Sequence, residues 1–209
     1  IEPFAAYGFN KAHAASYGMI AYFTAYMKAN FPAEYMTALM TAESADLEKI
    51  AEAVHECKRM GIDVLPPDIN ESYANFTWVN DKTIRFGIIA IKNLGEEVIK
   101  DIIAERKAGW IFKDLADLAR RVHHRSFNKK SLESLMKSGA LDGFGERNQL
   151  LQNIERILMF NKMSQQEKEQ NQGSLFGSGP ASSGSSLTLK PAPPAETASL
   201  LQWEKELLG

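Results

Sequence analysis

Cysteine is almost missing from these 209 residues, with Cys57 the only one. A single thiol excludes an internal disulfide framework and a zinc site built from several thiolates, and it agrees with a reducing compartment. No stretch approaches the roughly 18 uninterrupted apolar residues of a membrane span. No charged start followed by an apolar core reads as a secretory signal. An excess of charge of one sign is lacking too, since 24 Lys and Arg face 26 Asp and Glu for a net charge of -2. A polyanionic partner must therefore be held by a local surface and not by the overall field. Also missing are a glycine-rich triphosphate loop with a following Lys-Ser/Thr, an HExxH helix, a Gly-x-Ser-x-Gly elbow and a carboxylate pair of the two-metal kind. The chain has no recognisable catalytic site.

What is present is enough apolar material, 44% of residues, for a packed core. The length allows one large domain or two smaller ones with a tail. Helix signals dominate the N-terminal part. From Lys11 to Asn30 there is no Pro and one Gly, and Tyr17, Ile20, Tyr22, Phe23, Tyr26 and Met27 fall on more than one face. That pattern predicts a helix buried on several sides. Pro32 suits the first turn of a second helix reaching about Thr41. A third, about Asp46 to Met60, carries Leu47, Ile50, Val54 and Cys57 on one stripe and stops at Gly61. "LPPDINES" cannot be helical, because Pro66 and Pro67 restrict each other and the residue before them. A short β-hairpin is expected near 76–86, turning at Asn80-Asp81. Helices are expected again at about 95–107, 112–122, 128–138 and 146–168. The fold class is thus mainly α with a small β-hairpin.

The tail differs. Residues 171–199 include 4 Gly, 4 Pro and 7 Ser against two charges, Lys190 and Glu196, a composition that reads as a flexible linker. The chain opens on Ile1 and stops inside the helix-like "LLQWEKELLG", as a piece of a longer protein would.

Two stretches match at an offset of 50 residues: Ala90-Ile91-Lys92-Asn93-Leu94-Gly95-Glu96 and Ala140-Leu141-Asp142-Gly143-Phe144-Gly145-Glu146. Each puts an apolar residue, a tight turn and the start of a helix in succession. Glycine permits positive φ and close approach to a ligand, and the first amides of a helix are unpaired donors where the macrodipole favours an anion. Two such turns can hold a nucleic-acid backbone without reading bases. They can equally be simple helix-to-helix connections. Between them "RRVHHRSFNKK" carries Arg120, Arg121, Arg125, Lys129 and Lys130 with no acid. Alone it is a solvated face; beside two phosphate-type turns it becomes a backbone-contacting surface. His123 and His124 are adjacent and cannot share a helix face as metal ligands.

Several segments together resemble the alpha subunit of bacterial DNA polymerase III, the C-family replicative polymerase. "AAYGFNKAHAASYGMIAYFTAYMKANFPAEYMTALMT" resembles the end of its fingers domain, and "ECKRMGIDVLPPDINES" the join that follows. "IRFGIIAIKNLGEEVIKDIIAER" and "NKKSLESLMKSGALDGFGERNQLL" resemble its tandem helix-hairpin-helix region, and "WEKELLG" the lead into its next domain. The resemblance implies C-terminal fingers helices over 1–65 and a helix-hairpin-helix DNA-binding region over 66–168. It then implies a linker with a clamp-binding peptide over 169–199 and the start of a further domain at 200–209.

By the same resemblance the chain is a bacterial, cytoplasmic, non-catalytic part of a DNA-directed DNA polymerase. The family's metal-binding palm, with its Mg²⁺, would lie before Ile1, so the fragment alone is expected to be inactive. Its partners would be primer-template duplex, the ring-shaped sliding clamp and, through the parent, other replicase subunits, with no membrane. Asn10, Lys11 and His13 occupy the family's "FNKSH" stretch near template and nucleotide, with Ala12 where Ser is common; a helix cap and a packing histidine are the alternative roles. Lys92, Asn93, Gly95, Gly143 and Gly145, with the five basic residues between the turns, are the candidate DNA contacts. "KNLG" replaces the usual Gly-x-Gly of the first turn, so the second, "DGFG", is expected to hold DNA better. Gln172-Gly173-Ser174-Leu175-Phe176 has the family's clamp-peptide form, with Gln172, Leu175 and Phe176 as its contacts. A stand-alone helix-hairpin-helix module of a repair or recombination protein is the alternative. It leaves "YGFNKAHAASYG", "LPPDINES" and "WEKELLG" unexplained.

Overall fold

Local capping sets the helix boundaries in the computed structural model, which describes residues 11–123, 127–173 and 186–209, with no side-chain account of 168–173. Helix α1 spans Lys11–Asn30 and α2 spans Pro32–Ala42, begun by Pro32 in its first turn. Helix α3, Leu47–Arg59, is capped by Asp46, whose carboxylate accepts from the amides of Glu48 (3.1 Å) and Lys49 (3.3 Å). Lys58 and Arg59 suit its carbonyl end, and Gly61 turns the chain away at φ 73°. Ile50, Ala53 and Cys57 are its buried stripe.

Three strands follow, β1 (Asp63–Leu65), β2 (Thr77–Asn80) and β3 (Thr83–Arg85), in the order β1-β3-β2. The expected hairpin is β2 with β3, antiparallel and irregular between Trp78 and Asn80. The third strand, β1, pairs parallel with β3 through Val64 and Ile84. A three-residue strand between Gly61 and Pro66 is too short to show a periodicity, so no strand signal is present there. This sheet, α2 and α3 enclose one apolar cluster containing Met36, Met40, Ile50, Cys57, Ile84 and Phe86.

A second, larger cluster belongs to the helices that follow: α4 (Glu96–Gly109), α5 (Leu115–Arg121), α6 (Lys129–Lys137), α7 (Arg147–Gln152) and α8 (Ile154–Gly173). Asn128 caps α6, accepting from the amides of Lys130 and Ser131, while the Ser131 hydroxyl accepts from the Asn128 amide. The single helix expected at 146–168 is broken at Asn153. That side chain, 1% exposed, bonds the backbone of Lys190 instead of facing solvent.

"LPPDINES" joins the two clusters. Asp68 accepts from the amides of Asn70 (2.7 Å) and Glu71 (3.1 Å) in an Asx turn. The buried Ser72 hydroxyl donates to Phe86 O (2.7 Å) and accepts from Asp68 N (3.0 Å). The Ile69 amide donates to Ala140 O (2.9 Å), and Arg106 Nη1 donates to Ile69 O (3.0 Å). Arg106 is buried 5.1 Å over the Tyr73 ring; burial lowers its affinity for the proton, and Tyr73 and Asp68 offset this only in part.

Two expectations need correction. Helix α1 is not buried on several sides. None of its residues is buried among those described, and Tyr17 and Tyr22 are 62% and 66% exposed. The helix packs on α2, and its Lys28 reaches Glu56 of α3 (2.7 Å). The other concerns the tail: residues 186–196 pack back along α8 and α7 as an extended strap, which a flexible linker would not do. Leu187 and Leu189 touch the larger cluster, Arg156 donates to Thr188 O (3.3 Å), Asn148 to Pro193 O (2.8 Å), and the Ala195 amide to Glu146 (2.8 Å). Composition shows the lack of a core-forming run but not these pairings with a neighbour. Helix α9 (Thr197–Leu208) lies on α3 and α6, with Leu207 buried and Leu208 touching both clusters.

Candidate nucleic-acid interface

The repeat holds as packing. Ala90 and Ile91 are buried, as are Ala140 and Leu141, and Val98, Ile99 and Ile102 share one core with Leu150, Ile154 and Ile157. The two turns, however, follow different backbone paths.

In the first, the Leu94 amide donates to Ile91 O (3.3 Å), and Asn93 takes the left-handed conformation at φ 68° that Asn tolerates best among non-glycine residues. Gly95 then sits at φ -79°, ψ 147° as the N-cap of α4, with no side chain capping the helix and open space around it. The first amides of a 14-residue helix are thus presented beside the exposed Lys92. Glu96 and Glu97 stand in the same turn, with Lys100 paired to both (3.8 and 2.7 Å).

In the second turn the left-handed residue is Gly145 (φ 155°), not Gly143, and it is followed by Glu146 as the N-cap of α7. The Glu146 carboxylate accepts from Gln149 N (2.8 Å) and Ala195 N (2.8 Å). Burial alone would raise its pKa; the amides of Ala195, Gln149 and Asn148, with Arg147 nearby, outweigh this and hold it below the usual carboxylate value. Arg147 grips Asp142 with two bonds of 2.8 Å, reaches Lys137 O (3.2 Å) and pairs with Glu204 of α9 (2.7 Å). The second turn is therefore filled by the chain's own carboxylate, and α7 has only six residues. The open helix start thus lies at the first turn, not at "DGFG", which was expected to hold DNA better. A missing glycine was the wrong signal, because Asn93 itself takes a positive φ, whereas Gly143 at the matching place in the second turn does not.

The basic residues divide. Arg121 is occupied inside the protein, donating to Glu105 O and Trp110 O, pairing with Asp117 (3.1 Å) and covering the Phe112 ring at 4.4 Å. Arg120 lies 5.0 Å over Phe160. Lys129 is on the surface, paired with Glu155 (2.8 Å), whose carboxylate raises its pKa; Lys130 is exposed. Arg125 lies outside the described residues. Lys11 and His13 open α1 in solvent, with His13 edge-on to Tyr17 at 4.4 Å, and Asn10 lies outside the described residues. Gln172 is the second-last residue of α8, while Leu175 and Phe176 lie outside the described residues. Among the described residues no group of His, Cys, Asp or Glu is arranged to hold a metal, and no helix is long and apolar enough to cross a membrane.

A family profile described as a helix-hairpin-helix motif matches residues 61–150. Over all 209 residues the chain is 41% identical to the DNA polymerase III subunit alpha of Thermus aquaticus. The chain belongs to the DNA polymerase III alpha-subunit family. Similarity to the polymerase III alpha subunit of Deinococcus radiodurans is 49% identity over 76% of the chain, and to that of Mycobacterium tuberculosis 39% over the whole chain. The chain spans 17%, 12% and 18% of the length of these three polymerase III alpha relatives. The matches to the Thermus aquaticus and Mycobacterium tuberculosis subunits run through α1, α2 and α9 as well as the motif, so the resemblance is not confined to the hairpins.

Sequence reasoning missed Glu146, Arg147, Asn153 and Asn70, which shape the turns and the strap. Each stands among other polar residues, as in Glu146-Arg147-Asn148-Gln149, Gln152-Asn153 and Asn70-Glu71, and becomes informative only when the backbone it meets is known.

Proposed function

We propose that the chain is a DNA-gripping, non-catalytic part of a bacterial replicative polymerase, acting in the cytoplasm. It binds the phosphate backbone of primer-template duplex and supports template-directed synthesis by the parent, whose palm and Mg²⁺ supply the chemistry. The observation that carries this reading is the open N-terminus of α4, reached through the left-handed Asn93 and the uncapped Gly95. Lys92 flanks it, and Arg120, Arg125, Lys129 and Lys130 extend the contact. Gly143 and Gly145 shape the second turn, and the amides it offers are fewer. Lys11 and His13, with Asn10, are placed by this reading near the template.

Gln172, Leu175 and Phe176 are the proposed peptide for the sliding clamp. Residues 174–185 are bracketed by α8 on one side and the strap on the other, which returns along α8 near Met159 and Met163. A peptide anchored on both sides gains effective concentration while the hairpins hold DNA. The remaining replicase subunits meet the chain through its parent. Titrating a labelled duplex tests the central reading: binding is expected to ignore sequence and to weaken steeply with salt. Salt-independent or strictly sequence-specific binding overturns it.

A further inference from the structure

Trp110 is 85% exposed, the most exposed large apolar side chain among the described residues, and the neighbouring Ile111 is 62% exposed. The Trp110 backbone lies at φ 67°, ψ -173°, a region occupied without strain by glycine alone. Such a residue persists only where its surroundings hold it, and two clamps do so here. Arg121 Nη2 donates to Trp110 O (3.1 Å) and to Glu105 O. On the other side Asn70 and Phe112 exchange two bonds, Nδ2 to Phe112 O (2.9 Å) and Phe112 N to Oδ1 (2.8 Å). The indole is thus displayed in water from a rigid, strained support.

The charges around it point to one kind of ligand. Glu105 and Asp117 are paired with Arg121 (3.6 and 3.1 Å), and Asp114 caps α5 by accepting from Asp117 N (2.7 Å). Lys107 and Lys113 are exposed and form no ion pair among the described residues. Arg121 also covers carbonyls at the end of α4, offsetting the negative pole that would repel an anion.

We propose that Trp110 is a stacking platform for an unpaired base of a single-stranded nucleic acid, with Lys107 and Lys113 contacting phosphates of the same strand. Aromatic faces flanked by cations hold single strands without reading sequence. The inference rests on the reading that this chain works on DNA, yet it uses the other end of α4. A 14-residue helix, about 21 Å long, separates Gly95 from Trp110, so duplex and unpaired strand occupy opposite ends.

The test titrates fluorescein-labelled oligo(dT) and a labelled duplex with the 209-residue chain and its variants. Trp110→Gly is expected to bind oligo(dT) about tenfold more weakly and to melt at a higher temperature, because the strain is relieved. Trp110→Ala loses the same affinity without that gain, and Trp110→Phe keeps most of it. Replacing Lys107 and Lys113 by Ala lowers the salt slope for oligo(dT) by about 0.7 for each phosphate that is no longer neutralised. Duplex affinity stays constant in the Trp110 variants. If oligo(dT) does not bind, or Trp110→Gly and Trp110→Ala bind it like the wild type, the proposal is overturned and the tip belongs to another class of partner. Dependence of oligo(dT) binding on Trp110 in a chain that binds no duplex supports this proposal and removes the hairpin reading instead.

Discussion

Asn153 and Lys190 exchange two hydrogen bonds, the amide Nδ2 donating to Lys190 O (2.9 Å) and the Lys190 amide donating to Oδ1 (2.8 Å). The same side chain donates to Gln149 O (2.8 Å). One buried Asn therefore ends α7, starts α8 and fastens the strap, just as Asn70 fastens Phe112.

Removing that amide leaves the Lys190 amide without its partner and the Lys190 carbonyl with only the longer bond from Gln149 Nε2 (3.4 Å). Asn153→Ala is expected to cost about 1–3 kcal/mol and to release the strap before the rest of the protein unfolds. Hydrogen exchange at the Lys190 amide, compared with amides of α6, measures this. Equal protection in both proteins would show that Leu187 and Leu189 hold the strap alone.

Gly95 is open to a substitution that separates stability from binding. Its φ of -79° suits any residue, and a Cβ there meets nothing within 4 Å. Gly95→Asp supplies the missing cap, so α4 is expected to gain a few tenths of a kcal/mol, roughly the Gly-to-Asp difference at an N-cap. The same carboxylate occupies the anion site, as Glu146 does in the second turn, and duplex binding is expected to fall. Melting temperature and duplex affinity, measured together, should move in opposite directions.

Leu175→Ala with Phe176→Ala tests the clamp peptide. Each buried apolar side chain contributes roughly 1.5–3 kcal/mol, so the pair is expected to abolish measurable binding to an isolated sliding clamp. The thermal transition should not change. Surface plasmon resonance with immobilised clamp reads the first, and calorimetry the second.

Acid stability should depend on Glu56. Hydrogen bonds from Arg59 and Lys28 hold its carboxyl at about 2, against an ordinary value of 4.5. A depressed folded value stabilises the protein above the unfolded value, and that contribution is lost as pH falls from about 4.5 towards 2. Glu56→Gln is expected to flatten the fall in melting temperature across this window. Because Lys28 belongs to α1, it should also loosen that helix on α3.

Capping made most helices legible. Pro32 and Gly61 were read as boundaries from the sequence, and the Asp46 cap and Asn128 box found at the other helix starts also act within four residues. The parts that were not legible depend on distant partners. Strand β1 exists because β3 lies beside it; Asn153 breaks a helix because Lys190 arrives 37 residues later. The aromatic positions of α1 predicted burial on several sides and stand exposed instead, because the pattern does not say which residues would supply the cover. At the candidate site the repeat was visible as spacing. Which turn stays open was not, because the choice between Gly95 and Glu146 depends on where a single carboxylate points.

The contact of α9 with both clusters has a kinetic meaning. The Lys92 amide is bonded to Leu207 O (3.1 Å), and Gly209 packs beside Leu47 O. Helix α3 and the first turn thus obtain closing contacts from the last residues of this stretch. On the ribosome α3 and the first turn must wait, half-built, for more than a hundred residues to be added, so their final locking is late and long-range.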